Sequence, residues 1–154
     1  MENSPEDMSD TKLQDQEDSS NNDGESLKSS NSNSEMTRGK KGEYLRKLNE
    51  MEEADKYAEA KTTTLDMEKQ EEERYKKWDE ALNEIYGVLK EELSKEEMDK
   101  LREEQRNWIK HRDEAAKESS LKYKGGSYES LEYVATQASL TKERCYKLVA
   151  HYMK

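Results

Sequence analysis

Leu101–Glu118 reads LREEQRNWIKHRDEAAKE, and how it is read decides the fold. It contains no glycine, proline or β-branched run, so nothing in it opposes a helix. Leu101, Gln105, Trp108 and Arg112 recur at spacings of four, three and four. On a helix those positions make one stripe, of the kind that faces a core. The stripe therefore predicts a buried tryptophan with a glutamine and an arginine beside it. Polar groups in such a place need partners.

Working outward, Ser94-Lys95-Glu96-Glu97 has the capping-box form, which starts this helix at Lys95. The pattern continues to about Tyr123, where Gly125-Gly126 breaks it. Upstream, a helix is expected from about Leu65 to Leu93. Its stripe is Tyr75, Trp78, Leu82, Ile85, Tyr86, Leu89 and Leu93, with Gly87 tolerated inside. Thr62-Thr63-Thr64 precedes it, poor as a helix centre but suited to capping. From Glu43 a shorter segment carries Tyr44, Leu45, Leu48, Met51 and Tyr57 on a modest stripe. Downstream, Ser127 can cap a last helix whose stripe is Leu131, Val134, Ala138, Thr141, Cys145, Leu148, Val149 and Tyr152. No segment alternates as a strand does. The expected class is all-α: a small antiparallel bundle of three long helices plus an N-terminal one. The heptads end with each helix, so a compact bundle is expected rather than a rod. Trp78 and Trp108 should anchor its core.

The chain is 154 residues, 42% charged and 30% hydrophobic, with a formal net charge of −10. Those values are unevenly spread. Residues 1–40 hold ten acids against Lys12, Lys28, Arg38 and Lys40, in runs such as SSNNDGES and SSNSNSE. Ser, Asn and Asp favour local side-chain bonds over regular structure, and little there can be buried. Residues 1–40 are expected to be a disordered acidic tether and 41–154 the folded domain. No clustered basic face suggests nucleic acid. No signal peptide or membrane span is legible. Met1 is either a native start, which suits the cytoplasm, or stands where a lipid-bearing cysteine would follow signal removal.

Nothing catalytic emerges. His111 and His151 are the only histidines, forty residues apart, whereas helical metal pairs want three or four. The single cysteine, Cys145, lies on an apolar stripe and reads as a buried, inert thiol. No phosphate loop or nucleophile elbow is present, and no cofactor is expected. The informative residues are polar ones beside apolar anchors. They are Asp79 and Asn83 near Trp78, Gln105, Arg112 and Asp113 near Trp108, and Thr141 and Arg144 near Leu148. A shared internal network joining the helices satisfies them, with Arg112 reaching Asp79 first or Asn83 second. A binding site built from the same residues is the alternative.

These residues also carry a resemblance. WDEALNEIY (78–86), LREEQRNWIKHRD (101–113), GGS (125–127) and LTKERCYKL (140–148) stand in an order similar to the LprI-type lysozyme-inhibitor family. Its pattern falls on Leu82, Asn83 and Tyr86, on Gln105, Trp108, Arg112 and Asp113, on Gly125 and Gly126, and on Leu140, Thr141 and Arg144. The resemblance implies a helical protein that is secreted, periplasmic or lipid-anchored, with at least one branch inhibiting lysozyme. Many members carry paired cysteines near positions held here by Gln70, Ala116 and Thr136. This chain looks like a disulfide-free, lipoprotein-like branch. An inhibitor needs a protruding element to occlude a cleft. The candidate is Tyr123-Lys124-Gly125-Gly126-Ser127-Tyr128-Glu129, two aromatics on a turn; a plain inter-helix turn ending in glycine is the other reading. The partner would be lysozyme or another cell-wall hydrolase. The competing function is a non-inhibitory structural or adaptor module of the cell envelope.

Overall fold

The computed structural model describes residues 39–154, which form four α-helices and no strand. They are α1 (Lys40–Lys56), α2 (Thr64–Glu92), α3 (Lys95–Ser120) and α4 (Glu129–Tyr152), with one 3₁₀ turn over Leu121–Tyr123. The all-α class holds. Residues 1–38 of the expected tether lie outside the described residues.

α4 is the central element and packs on each of the other three. Its buried stripe shows why: Ala138, Thr141 and Cys145 are small and fully covered, letting neighbouring helices approach closely. Leu148 and Val149 then meet Trp78, Leu82, Ile85 and Leu89 of α2 in one apolar cluster, joined by Leu101 of α3 and Tyr44 and Leu48 of α1. These side chains are withdrawn from water almost completely, each worth about 1.5–3 kcal/mol of transfer free energy.

Local signals set most boundaries. Ser94 Oγ accepts from the Glu97 N–H at 3.1 Å, and Glu97 Oε1 accepts from the Ser94 N–H at 2.9 Å, completing the capping box. The Ser94 N–H holds the Glu97 carboxyl below its usual range. Thr63 Oγ1 accepts from the Asp66 N–H at 3.1 Å and starts α2.

Four boundaries or placements differ from the sequence expectation. α1 begins at Lys40, not Glu43, so Lys40 belongs to the helix and not to a tether. Gly39 turns the chain in with φ +87°, and the Lys41 N–H donates to the Lys154 carbonyl at 3.2 Å. The last residue thereby fixes where the first helix starts. Lys154 N–H also donates to Glu92 Oε1 at 2.9 Å, tying the end of α2 to the same point. Tyr57 is 76% exposed, because it follows the last turn of α1 instead of riding its stripe. α3 stops at Ser120, where the hydroxyl donates back to the Lys117 carbonyl at 2.8 Å and the chain tightens into the 3₁₀ turn. Ser127 does not cap α4: the residue at the cap is Tyr128, with no side-chain cap bond.

Candidate functional site

Two places gather the residues of interest, a polar layer between the helices and the exposed turn before α4. The polar layer centres on Arg112, which is 7% exposed. A guanidinium so covered must replace the water it lost. Its Nε donates to Asp113 Oδ1 at 2.9 Å, and its Nη1 lies 3.4 Å from Thr141 Oγ1 on α4. Gln137 Nε2 donates to the same Asp113 oxygen at 3.1 Å. The guanidinium also lies 5.4 Å from the Tyr75 ring centre on α2 and 5.1 Å from that of Trp108. Cation–π contact at such distances supplies the attraction that a carboxylate across the helices was expected to give.

The expected first partner, Asp79, acts on Arg112 as a nearby negative charge, while the acceptors are Asp113 and Thr141. Asn83, the second choice, is partly buried on α2. Sequence spacing hides the pairing with Asp113. Asp113 is the next residue along, and neighbours in sequence do not normally face one another on a helix. The long, flexible arginine stem lets the pair form all the same. Burial by itself would lower the Arg112 guanidinium, but Tyr75, Asp113 and Asp79 outweigh it and hold the group above its ordinary value. Burial pushes Tyr75 up to about 12.

Gln105 and Arg144 form the second half of the layer. Arg144 Nε donates to Gln105 Oε1 at 2.9 Å, and its guanidinium lies 5.6 Å from the Trp108 ring centre. Trp108 is therefore flanked by two arginines and is only partly buried. Trp108 packs against the apolar cluster from its edge, while Leu101 of the same helix lies fully inside it, which corrects Trp108 as a core anchor equal to Trp78. Trp78 has no exposure, and its Nε1 donates to Asp55 Oδ2 at 2.8 Å. Lys77 Nζ holds the other oxygen of Asp55 at 2.6 Å.

Sequence reasoning missed Tyr75, Gln137 and Asp55 as polar partners. Gln137 had a signal, since it sits four residues before Thr141 on the same helical face. Asp55 had none, because its partners are 22 and 23 residues away. Cys145 is sealed, its thiol 3.5 Å from the Trp78 carbonyl, and burial pushes it well above its ordinary value. A thiol in that state is a poor nucleophile.

The turn from Tyr123 to Glu129 has a defined shape. Gly125 adopts φ +80°, the Gly126 N–H donates to the Tyr123 carbonyl at 2.8 Å, and the Gly125 N–H donates to Glu129 Oε1 at 3.0 Å. Tyr123 and Tyr128 meet edge to face, 5.8 Å between ring centres at 72°. Both rings stand in solvent, with 41% and 44% exposure, beside Leu121 at 45%. Lys124, Gly126 and Ser127 are exposed with them. A side chain at Gly125 would meet open space but would be strained by the positive φ. The turn thus presents two aromatic rings among polar residues, braced by one backbone bond and the Glu129 carboxylate, where α3 hands over to α4. The polar layer lies inside the bundle and does not reach it.

Among the described residues no helix is long and apolar enough to cross a membrane. No curated protein and no solved structure is significantly similar to the chain. A family model described as lysozyme inhibitor LprI matches residues 54–148. That span takes in all of α2 and α3 and α4 through Leu148, including Arg112, Trp108, Arg144 and the Gly125-Gly126 turn. Covering well over half of the sequence, it places the chain in the lysozyme inhibitor LprI family.

Proposed function

We propose that this protein is an extracytoplasmic binding protein of the cell envelope that inhibits lysozyme or a related cell-wall hydrolase, with the Tyr123–Glu129 turn entering the partner's cleft. The observation that carries this reading is the exposed Tyr123–Tyr128 pair on a backbone-braced turn, in a chain of an inhibitor family. Paired tyrosines supply large, stiff contact area, the type of side chain that dominates binding energy at interfaces. The bracing limits the ordering cost on binding. The polar layer serves as scaffold: it sets the register of α2, α3 and α4 and so fixes the direction in which the turn points.

On this reading the protein acts by occupying a site, not by chemistry of its own. The acidic residues before α1 act as the tether that holds the domain at the membrane surface. The coding sequence upstream of Met1 tests the export step. A signal peptide ending in a lipid-attachment cysteine supports it, and an untranslated region contradicts it. Mixing with lysozyme tests the inhibitor step. Co-elution on gel filtration and slowed clearing of a cell-wall suspension are expected. Separate elution beside a fully active lysozyme would favour the non-inhibitory envelope adaptor instead.

A further inference from the structure

The chain's two histidines, forty residues apart, come together. His111 of α3 and His151 of α4 line one open groove of about 520 Å³, together with Trp108, Arg144 and Lys147. The groove lies about 20 Å along α3 from the Tyr123–Glu129 turn, at 1.5 Å per helical residue. It is therefore separate from the surface proposed to meet a hydrolase. Within an acidic protein, this small region gathers an arginine, a lysine and two imidazoles.

One of its donors is unsatisfied. The Arg144 side chain is 10% exposed, and its buried Nη2 has no hydrogen-bond acceptor. Buried donors without acceptors are costly, and each one calls for a reason. The nearest carboxylate is Glu104, at 4.0 Å, too far for a hydrogen bond. Glu104 is instead held from the outside by the Tyr152 hydroxyl, which donates to it at 2.8 Å on the surface. A carboxylate thus stands near the guanidinium without closing on it. Contrast Arg112, whose charge is met by an aspartate at 2.9 Å and two aromatic faces.

We propose that this groove between α3 and α4 is a binding site for an oxyanion, the carboxylate or phosphate group of a small ligand. The oxyanion takes the place near Arg144 that Glu104 fills loosely. Arg144 supplies its unpaired Nη2 once Glu104 gives way. Lys147, His111 and His151 supply further N–H donors from the rim. Glu104 and the ligand compete, so removing the Glu104 charge tightens binding and removing the Lys147 charge weakens it. Both side chains are exposed or nearly so, and neither substitution should affect folding.

The test is a titration of the full chain with inorganic phosphate and, in a second arm, with succinate, at constant ionic strength. The readouts are the histidine ring signals and the Trp108 indole N–H by NMR. Saturable shifts at His111, His151 and Trp108, with Trp78 unmoved, are expected in at least one arm, and the stronger arm names the ligand's anionic group. Glu104→Gln should bind about two- to fivefold more tightly and Lys147→Gln more weakly by a similar factor. Linear drift matching a sodium chloride control in both arms would overturn the proposal. So would saturation that is identical in the wild type and both variants, because the anion would then bind elsewhere.

Discussion

The two tryptophans sit on neighbouring helices, each on the apolar stripe of its own, yet their surroundings differ. Trp78 is sealed against α4 and α1, with its one polar atom paired to Asp55 and Tyr146 tilted beside it at 6.3 Å. Trp108 is partly open, with the guanidinium groups of Arg112 and Arg144 at its ring. The difference lies in the residues one turn away. One turn further along its helix Trp78 has Ala81 and Leu82, while Trp108 has His111 and Arg112, with Gln105 one turn before it. A tryptophan among apolar neighbours becomes core. One between polar neighbours becomes the apolar wall of a polar layer.

Substitutions can break or sharpen that contrast, and urea unfolding measures them. Trp78→Ala should cost most, about 4 kcal/mol, because it leaves a closed cavity and an unpaired Asp55 oxygen. Arg112→Ala should follow at about 3 kcal/mol, and Arg112→Lys should restore only part of it, since an ammonium lacks the planar fork that reaches Asp113 and Thr141 together. A loss under about 1 kcal/mol for Arg112→Ala would remove it from the scaffold. Trp108→Ala should cost about 2 kcal/mol, less than Trp78→Ala, because part of its surface never left water. Equal losses for the two tryptophans would erase the distinction.

Alkaline titration probes the same layer. Tyr75 ionises near 10 when unfolded and at about 12 in the fold. Its folded value is raised, so its contribution is fully present below pH 10 and is lost as pH rises toward 12. The loss should be on the order of 2 kcal/mol. Tyr75→Phe should flatten the stability profile between pH 10 and 12 relative to the wild type; an unchanged slope would mean that the phenol is better solvated than its burial implies.

How much of this was legible in the sequence depends on the range of the interaction. The helices could be read because their causes are local: stripes at 3.6-residue spacing, the Ser94–Glu97 box, the threonines before α2 and the glycines after α3. The start of α1 could not, because the Lys154 carbonyl that receives Lys41 comes from the far end of the chain. In the polar layer, the residue types were legible as needing partners, but the pairings were not. Arg112 turned to its sequence neighbour and to two rings, where a carboxylate on α2 had been expected. Gln105 with Arg144 is a pairing between α3 and α4 that requires the packed bundle to be seen. The groove that joins His111 and His151 was hidden for the same reason. Spacing along one helix argued against a histidine pair, and the two residues come from different helices.

The turn before α4 should matter least to stability and most to function. Tyr123→Ala with Tyr128→Ala removes two half-exposed rings that touch chiefly each other, so the change in unfolding free energy should be about 1 kcal/mol. The decisive measurement is the rate at which lysozyme clears a cell-wall suspension, with the wild-type protein and with this double variant at equal concentration. The wild type should slow the enzyme, and the folded double variant should leave it at full speed. Undiminished inhibition by the double variant would contradict the account and move the binding surface away from this turn.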